Sequence, residues 1–365
     1  MAHPAQLPST MQGVVLTGFG GPECLQYRHD LPVPKPLAGE VLIRVGASAV
    51  NNTDINTRVG WYSKTAQGQT QSAAAVFDSQ ADHDPSWGGV PMAFPRIQGA
   101  DCCGEIVAVG AGVDETRTGQ RVLVRPILRA YANYQPYACW YFGSECDGGF
   151  AQYTKVPSDA AVQIRSPLTD AQLASFPCAY STAENLVDRA RVQSGDCVLV
   201  TGASGGVGSA AVQLAKRRGA LVIAVASTDK HAAVLALGAD RVLARHVNLE
   251  QAVGRESVDV VIDLVGGAQW PVLLQVLKRG GRYATSGAIA GPLVELDLRT
   301  LYLKDLHLLG CTFQEDHIFD NLVGYIERGE IQPAVAKTYS LHEIAQAQHD
   351  FDEKNFVGKL VLTLP

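Results

Sequence analysis

The sequence contains no long run of like charge and no long hydrophobic run, and these two absences exclude several classes of protein. Thirty basic residues stand against 36 acidic ones, giving a formal net charge of −6, so a nucleic-acid partner held by phosphate neutralisation is disfavoured. The longest wholly apolar stretches, such as 220–226, are far shorter than the roughly 18 residues needed to span a bilayer. We therefore expect neither a nucleic-acid nor a membrane partner.

The chain also lacks the marks of secretion and of a structural zinc lobe. Its first residues, MAHPAQLPSTMQ, show no basic segment followed by an apolar one, which predicts that no signal peptide is present. Eight cysteines occur, but none forms a Cys-x-x-Cys pair, so a zinc lobe has little support. Reduced thiols and a cytoplasmic location are the expectation for such a chain.

Aromatic residues are scarce at 7%, whereas glycine reaches 36 of 365 residues. An excess of glycine is typical of chains with many tight turns and close backbone approaches. The composition is 47% hydrophobic and 18% charged, which is enough apolar material for substantial cores and argues against disorder. At roughly 150 residues per domain, the length suggests two or three domains.

Short apolar runs separated by turn signals occupy the first third of the chain, and they predict a small barrel or sandwich. The predicted strands are 13–16, 41–45, 105–109, 121–124 and 150–155. Between Gly60 and Pro95 the pattern dissolves, and 63–82 is rich in Gln, Ser, Ala and Thr. A loop of this length inside a compact domain is usually functional or disordered.

From about Leu168 onward, helical patterns alternate with apolar strands. Helices are predicted at 171–190, with a break at Pro177, and at 206–218, 229–237 and 341–350. Strands are predicted at 197–201, 221–226, 242–243, 258–263, 281–284, 307–311 and 358–364. This rhythm predicts an α/β fold in which a doubly wound parallel sheet is covered on both faces.

The strongest motif is the segment 198–216, in which a buried strand runs directly into a glycine-rich turn and then into an amphipathic helix. In the Gly-x-Gly-x-x-Gly template, the three glycine places are taken by Ala203, Gly205 and Gly208. Gly205 lets the backbone approach a pyrophosphate, Gly208 lets the helix pack closely on the strand, and the helix N-terminus faces the phosphates. Because strand and helix both agree with the template, the segment predicts a dinucleotide site.

The tip of the second strand indicates which nicotinamide cofactor binds. A carboxylate there would hydrogen-bond the adenosine ribose and favour NAD, but the tip residue is Ser227, followed by Lys230. A hydroxyl and an ammonium suit a 2′-phosphate, which a carboxylate would repel. Asp229 leaves an alternative open, since it is either a helix N-cap or a ribose ligand. NADPH is therefore favoured over NADH.

Together with its surroundings, this loop resembles the medium-chain dehydrogenase/reductase superfamily over nearly the whole chain. The other matching segments are GEVLIRV at 39–45, NNTD at 51–54, GADCCGEIVAVG at 99–110, DGGFAQY at 147–153 and FVGKLVL at 356–362. The resemblance implies a GroES-like β-barrel domain at 1–165 and 330–365, interrupted by a Rossmann domain at 166–329. The active site would lie in the cleft between them, and a homodimer or homotetramer is expected.

The resemblance also allows each zinc-ligand position to be checked. Zinc-dependent members carry Cys-His-Thr-Asp or similar where this chain has 51–54, and Gly-His-Glu where it has 99–101, so Asn51 and Ala100 replace two ligands. Cys178 alone matches a third. Because catalytic zinc needs three protein ligands, no metal is expected, and Cys178 is interpreted as a small buried hydrophobe or as part of the pocket wall.

Asn51 followed by Asp54 is similar instead to the Asn-x-x-Asp of the quinone oxidoreductase branch. That branch is zinc-free, uses NADPH and reduces quinones or activated carbon–carbon double bonds, and the resemblance implies the same for this chain. Two alternatives stay open. One is an alcohol or aldehyde dehydrogenase of the same fold, and the other is a cofactor-binding protein with little turnover.

The resemblance suggests which residues form the site. Asn51, Tyr62 and Thr182 are the candidate catalytic donors, and Asp54 is expected to brace the turn after Asn51. The segment 62–95 is longer than in typical members, and it either covers the substrate mouth or is an exposed ornament. The predicted cofactor contacts are Ala203, Ser204, Gly205, Gly206, Val207, Gly208, Ser227, Lys230, Val265, Gly266, Gly287, Ala288, Ile289, Cys311, Thr312, Phe356 and Lys359.

Overall fold

The computed structural model describes residues 7–63 and 91–364. Its N-terminal part consists of short strands and one helix that follows the third strand. In chain order, the described elements before residue 165 are β1 (Thr10–Leu16), β2 (Leu25–Pro32), β3 (Glu40–Ala49), α1 (Asn52–Arg58), β4 (Arg96–Ile97), β5 (Cys103–Val109), β6 (Arg121–Val124), β7 (Ile127–Leu128), β8 (Trp140–Tyr141), β9 (Tyr153–Pro157) and β10 (Ala161–Gln163).

The middle of the chain alternates helices with strands, as the sequence predicts. Its elements are α2 (Asp170–Leu173), α3 (Pro177–Arg189), β11 (Cys197–Val200), α4 (Gly206–Arg217), β12 (Leu221–Ala226), α5 (His231–Ala236), β13 (Arg241–Ala244), α6 (Leu249–Val253), β14 (Val258–Asp263), α7 (Trp270–Val276), β15 (Leu277–Thr285), α8 (Leu298–Leu303), β16 (His307–Gly310) and α9 (Asp316–Glu327). The strands form one sheet of order β13-β12-β11-β14-β15-β16, and every neighbouring pair is parallel. The predicted doubly wound α/β fold is confirmed, with its switch point between β11 and β14.

The chain then returns to the N-terminal part through β17 (Val335–Ser340), α10 (Ile344–Glu353) and β18 (Lys359–Thr363). β18 lies antiparallel to β3, with Val361 opposite Ala49. The resulting sheet has the order β10-β6-β5-β3-β18-β17, with β9 also paired to β3, and a smaller sheet has the order β2-β1-β4. The GroES-like barrel is therefore assembled from both ends of the chain. The boundaries expected near residues 165 and 330 stay a prediction.

Hydrophobic packing explains why the parallel sheet is buried on both faces. Val198 and Val260 point to the core formed with α3, α4 and α9, whereas Leu199 and Val261 point to the core formed with α7. All four side chains are fully buried. Strands covered on both faces need such continuous apolar runs, and this is why the sequence predicts them well. Among the described residues, no helix is long and apolar enough to cross a membrane.

Some elements differ from the sequence prediction. The helix expected at 229–237 begins as a 3-10 turn, Thr228–Lys230, and continues as α5. Strand β2 has no counterpart among the predicted strands, because its sequence LQYRHDLP is mostly polar and partly exposed. It is an edge strand of the smaller sheet, where hydrophobic alternation is weak.

Candidate active site

A cleft of about 400 Å³ lies between the parallel sheet and the barrel. Residues from the loops that follow each of the six parallel strands line one side of it. The carboxyl ends of the strands are where an open parallel sheet places ligands. The other side comes from α1, from the segment after it and from the C-terminal return. The cleft expected from the sequence is thus present.

The glycine-rich turn forms the floor of this cleft. Ser204, Gly205, Gly206, Val207 and Gly208 line it, whereas Ala203 behind them is fully buried. Gly205 is the N-cap of α4 in an extended conformation, so the first N–H groups of that helix face the cleft. A Cβ atom at Gly208 would lie 2.2 Å from the Gly202 carbonyl oxygen. Backbone atoms therefore require glycine at that position, and the helix N-terminus is placed to bind phosphate.

A buried carboxylate joins the glycine-rich turn to the loop after β14. Thr201 Oγ1 donates to Asp263 Oδ1 over 2.5 Å, and the Leu264 N–H donates to Thr201 Oγ1 over 3.0 Å. Asp263 also accepts from the N–H groups of Val265 and Gly266. This arrangement presents Leu264 to the cleft, whereas Val265 and Gly266, which the sequence suggests as cofactor contacts, lie behind it and do not line it.

One end of the cleft gathers cationic side chains. Lys230, Arg245 and Lys354 all line it, and the Lys230 ammonium donates to the Lys354 carbonyl oxygen. Burial lowers the pKa of Lys354 to about 8, and the nearby charge of Lys230 adds to the effect. Burial lowers the pKa of Lys230 as well, and Arg245 contributes to that shift. A lining that gathers three cationic side chains suits a multiply charged anion.

The tip of β12 differs from the sequence interpretation in one respect. Ser227 does not line the cleft, and its hydroxyl is hydrogen-bonded to the Asp229 carboxylate, which is the main reason that the pKa of Asp229 is lowered. Asp229 is exposed and also lies outside the cleft lining. The contact of Ser227 with the cofactor therefore stays a prediction, and the Asp229 carboxylate is engaged by Ser227.

Asn51 is at the junction of β3 and α1, deep in the other end of the cleft. Its Nδ2 donates to Asp101 Oδ2 over 2.7 Å and to the Ala49 carbonyl oxygen over 3.1 Å. Its Oδ1 accepts from the Lys359 ammonium. The whole amide is thus engaged with protein groups. Asn51, expected as a donor to the substrate, is arranged here to hold Lys359 and Asp101.

Asp54 braces the turn after Asn51, as expected. Its Oδ2 accepts from the Asn51 N–H over 2.8 Å, and its Oδ1 accepts from the Ala100 N–H over 3.3 Å. Burial raises the pKa of this carboxyl to about 7, against the lowering effect of the two N–H groups and of Lys359. A neutral carboxyl group is therefore available at the base of the site near neutral pH.

Tyr62 lines the cleft beside Trp61, with the two ring centroids 5.7 Å apart. Its hydroxyl is hydrogen-bonded to the side chains of Thr53 and Asn56, and burial raises its pKa far above the ordinary value. Tyr62 is therefore a neutral hydroxyl whose position is set by two residues of α1. Such a group can donate a hydrogen bond to a substrate oxygen.

Thr182 and Cys178 present one face of α3 to the cleft. Thr182 Oγ1 donates to the Cys178 carbonyl oxygen over 2.7 Å, so the hydroxyl hydrogen is engaged and its oxygen is oriented as an acceptor. Burial raises the pKa of the Cys178 thiol. The sequence interpretation of Cys178 as part of the pocket wall agrees with this position.

A smaller cavity of about 30 Å³ adjoins the cleft and shares Thr53, Cys178 and Thr182 with its lining. It is lined by hydroxyl-bearing side chains, including Thr57, Ser144 and Ser286, together with Asp54 and Cys311. The Ser144 hydroxyl is buried and has no hydrogen-bond partner in the described structure. A space of this size and polarity can hold one water molecule.

The remaining predicted cofactor contacts are placed as follows. Gly287, Ala288, Ile289, Thr312, Phe356 and Lys359 line the cleft. Cys311 lines the smaller cavity instead. Most of the insertion predicted to cover the mouth, including Trp87 and all of 64–90, lies outside the described residues, so its role stays a hypothesis.

Sequence reasoning missed Arg245, Lys354, Asn56 and Asp101. Arg245 follows β13 just as Lys230 follows β12, so the rule that ligands bind beyond strand ends could have found it. Asn56 is one turn along α1 from Asn52, on the helix that starts at the motif. Lys354 carries no local signal, whereas Asp101 lies in the matching segment 99–110, but only the tertiary fold shows that its carboxylate meets Asn51, Lys359 and Cys178.

Two family models match the chain. The model described as "Alcohol dehydrogenase GroES-like domain" matches residues 37–166, and the model described as "Zinc-binding dehydrogenase" matches residues 206–328. Among curated proteins, the acryloyl-coenzyme A reductase of Metallosphaera sedula is 30% identical over 347 residues, covering 92% of this chain and 95% of the relative. Human quinone oxidoreductase is 28% identical over 368 residues, covering 97% and 98%.

Two solved structures extend the comparison. A protein from Sinorhizobium meliloti 1021, provisionally assigned as an alcohol dehydrogenase, is 47% identical with a TM-score of 0.88, covering 98% of both chains. The 2-octenoyl-CoA carboxylase reductase CinF, solved in complex with NADP and 2-octenoyl-CoA, is 26% identical with a TM-score of 0.82. That match covers 99% of this chain and 89% of CinF.

The name of the second family model raises the question of a catalytic zinc, and the residues present do not fit one. The Asn51 oxygen is engaged by the Lys359 ammonium, and Ala100 offers no ligand atom, so of the three matching positions Cys178 alone keeps a side chain that could bind zinc. Within the ranges 7–63 and 91–364, no group of three or more His, Cys, Asp or Glu side chains could hold a metal ion. Zinc needs deprotonated ligands in such a group.

Proposed function

The chain belongs to the medium-chain dehydrogenase/reductase superfamily, and on that premise we propose that it is a zinc-independent reductase. Its reaction would transfer hydride from NADPH to a quinone or to a carbon–carbon double bond conjugated to a carbonyl group. Oxidoreduction with a nicotinamide cofactor is common to the superfamily. The phosphate on the cofactor, the absence of zinc and the substrate class rest on the observations that follow.

The charge of the cleft is the observation that carries the choice of NADPH. Its described lining residues include Lys230, Arg245 and Lys354 and no carboxylate, whereas the charge of Lys359, which also lines it, is paired with the buried Asp101. NADPH differs from NADH by a 2′-phosphate on the adenosine ribose, and a phosphate adds charge and strong acceptor oxygens. One charge-assisted hydrogen bond contributes about 1.5–3 kcal/mol. We therefore expect NADPH to bind at least about tenfold more tightly than NADH.

The test is an equilibrium titration of the purified protein with each reduced cofactor, followed by nicotinamide fluorescence. Repeating it over a range of salt concentrations separates the ionic part of the preference, which salt should weaken. Equal affinities for NADPH and NADH at low salt would contradict the proposed cofactor.

The reaction end of the cleft supports reduction of a conjugated carbonyl without a metal. When hydride adds to the β-carbon, negative charge moves to the carbonyl oxygen, where a hydrogen-bond donor stabilises the enolate. We assign that role to the Tyr62 hydroxyl, because Thr53 and Asn56 fix its position at the cleft. Thr182 is the proposed partner of the nicotinamide carboxamide. The cofactor, when bound, supplies the hydride, and the chain orients the two reactants.

A consumption assay with NADPH tests the substrate class. Its panel contains a benzoquinone, cyclohexenone, an acrylate ester and acryloyl-coenzyme A, the last because of the name of one relative. We expect oxidation of NADPH with at least one of the first three and no stimulation by added zinc. Metal analysis of the same preparation accompanies the assay. Stoichiometric zinc together with ethanol oxidation would overturn the proposal.

An alcohol or aldehyde dehydrogenase is the second candidate, favoured by the 47% identity to the Sinorhizobium meliloti protein. A simple ketone or aldehyde needs stronger electrophilic help than an enone, and the described residues do not fit the zinc that would give it. Ethanol with NADP⁺, and acetaldehyde with NADPH, added to the same assays decide between the two candidates. If NADPH binds and nothing in the panel is turned over, the remaining reading is a cofactor-binding protein with little turnover.

A homodimer is proposed from the free edge of the parallel sheet. Within the described sheet, β16 pairs with β15 on one side only, and α8 beside it exposes Leu298, Tyr302 and Leu303. Edge strands with apolar neighbours are common sites of symmetric pairing. Light scattering coupled to size-exclusion chromatography tests this, and a monomer at micromolar concentration would contradict it. A cytoplasmic location stays a prediction from the cysteine usage.

A further inference from the structure

Asp101 occupies an unusual position beneath the cleft. It is fully buried, yet its carboxylate contacts three separate parts of the chain. Oδ2 accepts from Asn51 Nδ2 over 2.7 Å and from Lys359 Nζ over 2.9 Å, and Oδ1 accepts from the Cys178 N–H over 2.7 Å. A buried carboxylate is costly unless it is paired and hydrogen-bonded. The three partners of its carboxylate, Asn51, Lys359 and Cys178, all line the cleft.

The contact with the Cys178 N–H caps helix α3 from outside the helix. Helix α3 begins at Pro177, which has no N–H, and its N-cap residue Phe176 makes no side-chain cap. The Cys178 N–H is therefore the first free donor of the helix, and Asp101 supplies its acceptor from the barrel. A carboxylate at a helix N-terminus is favourable for hydrogen bonding and for the helix dipole. Because α3 also presents Thr182, Asp101 links the position of Thr182 to the barrel.

The contact with the Lys359 ammonium fixes that side chain beside the glycine-rich turn 202–208. Only 2% of the Lys359 side chain is exposed, and its stem packs so closely on α4 that a Cβ at Gly206 would lie 2.8 Å from Lys359 Cδ. The neighbouring Gly358 N–H donates to the Ser204 carbonyl oxygen over 2.9 Å. Asp101 and Asn51 together hold the ammonium on the barrel side of this contact. Without them, the cation would lie next to the loop that faces the phosphates.

We propose that Asp101 is a positioning residue for hydride transfer. It holds Lys359, Asn51 and the N-terminus of α3 in fixed relative positions, so that Thr182 and the glycine-rich turn 202–208 contact the same cofactor molecule. The inference rests on the proposed function and names a residue that acts through others. Asp101 itself contacts neither reactant. Its removal should therefore disturb the reaction end of the cleft more than the phosphate end.

The variant Asp101→Asn makes this measurable. The amide keeps one acceptor oxygen, but its NH₂ group would point hydrogens at either the Lys359 ammonium or the Cys178 N–H, so one of them must move. The variant also leaves the Lys359 charge without its counter-ion beside an anionic cofactor. We expect kcat with the best enone to fall at least tenfold, while the Kd for NADPH stays equal or decreases. A simple loss of structure would weaken cofactor binding instead.

Two further variants keep the test decisive if Asp101→Asn folds poorly. Asp101→Asn/Lys359→Met removes both charges, so no unpaired ion is left in the interior, and we expect it to fold with kcat still at least tenfold below that of the wild type. Glu184→Gln is the matched control. Glu184 lies on α3, is also fully buried and pairs with Arg218 over 2.6 Å, and neither of these two residues lines the cleft. It should lower the melting temperature and leave kcat within twofold.

The proposed positioning role and the proposed reaction fail in different ways. If the wild type reduces no enone or quinone, the reaction is wrong, and the emission of bound NADPH still reports the nicotinamide surroundings. Asp101→Asn should then shift that emission at unchanged or tighter affinity. The inference is overturned if Asp101→Asn leaves kcat within twofold, or the emission unshifted where no turnover exists. It is also overturned if cofactor affinity and turnover fall together.

Discussion

The phosphate end and the reaction end of the cleft are built from different materials. The phosphate end is mainly backbone, namely the turn 202–208 and the N-terminus of α4, with cations around it. The reaction end consists of side chains such as Asn51, Asp101 and Lys359, which lie far apart in sequence and hydrogen-bond to one another. A local motif can specify the first, whereas the second exists only after the barrel and the parallel sheet have come together.

From this comparison we expect the largest loss of activity when a single methyl group is added at the phosphate end. Gly208→Ala would place a Cβ 2.2 Å from the Gly202 carbonyl oxygen and 2.7 Å from Ala203 Cα, both backbone atoms that cannot rotate away. We expect the turn that faces the phosphates to shift in order to relieve this strain, which overpacking puts at up to about 3 kcal/mol. Since the cofactor needs the turn in its original place, kcat/KM for NADPH should fall about 100-fold. Gly18→Ala is the control, because nothing lies within 4 Å of its added Cβ. Similar losses in both variants would mean that the close approach at Gly208 is unimportant.

At the reaction end, a single hydroxyl should matter for the rate and not for cofactor binding. Tyr62→Phe keeps the ring that packs on Trp61 but removes the proposed donor to the enolate oxygen. Losing such a donor typically costs about 100-fold in kcat, and steady-state assays with a saturating enone should show that loss at an unchanged Kd for NADPH. Tyr302→Phe, on the exposed surface of α8, controls for the substitution itself. If Tyr62→Phe retains full kcat, another group stabilises the oxygen.

The cationic end offers a finer test, because it should separate two cofactors that share every other group. Arg245→Ala should weaken NADPH binding about tenfold or more, the equivalent of one charge-assisted hydrogen bond, and change NADH binding by less than about threefold. Fluorescence titration with both cofactors measures the ratio. Arg299→Ala removes an arginine that is exposed and pairs with Asp297, and it should leave the ratio unchanged. Equal losses for NADPH and NADH in Arg245→Ala would place Arg245 away from the 2′-phosphate.

The two ends also differ in how far the sequence predicts them. The strand–turn–helix at 197–217 is specified locally, because apolar strand residues, glycines at required places and an amphipathic helix are adjacent in the chain. Arg245 follows the same strand-end rule and was overlooked only because no motif marks it. Asp101 and Lys354 are different. Asp101 is 77 residues from its partner Cys178, and Lys354 is 302 residues from its partner Asn52. No local pattern encodes such pairs.

Asn51 shows why a motif position does not by itself give a role. The resemblance indicates a donor to the substrate, and the residue does lie in the cleft. In the folded chain both of its amide hydrogens are taken by Asp101 and by Ala49, and its oxygen is taken by Lys359. Hydrogen-bond saturation depends on neighbours from two other segments, so the motif identifies the position and the tertiary structure decides what the side chain does there.

The last predicted effect concerns stability rather than activity, and it comes from Asp54 at the reaction end. Its pKa rises from an ordinary value of about 3.9 to about 7 in the folded protein, mainly because of burial. The folded state therefore binds this proton more tightly than the unfolded state does. By linkage, the contribution of Asp54 to stability is complete below about pH 4, falls as the pH rises to about 7, and is constant above that.

The variant Asp54→Asn should remove this dependence, because an amide of the same shape does not ionise. Urea unfolding of both proteins between pH 4.5 and 8 should show the free energy of unfolding of the variant gaining on that of the wild type by up to about 3 kcal/mol over the range. Asp114→Asn is the opposite control, since Asp114 is exposed and hydrogen bonds from Thr116 lower its pKa. The free energy of unfolding of Asp114→Asn should fall slightly relative to that of the wild type as the pH rises from about 3 to 5. A difference for Asp54→Asn that stays constant with pH would mean that the carboxylate is already charged in the folded protein throughout this range.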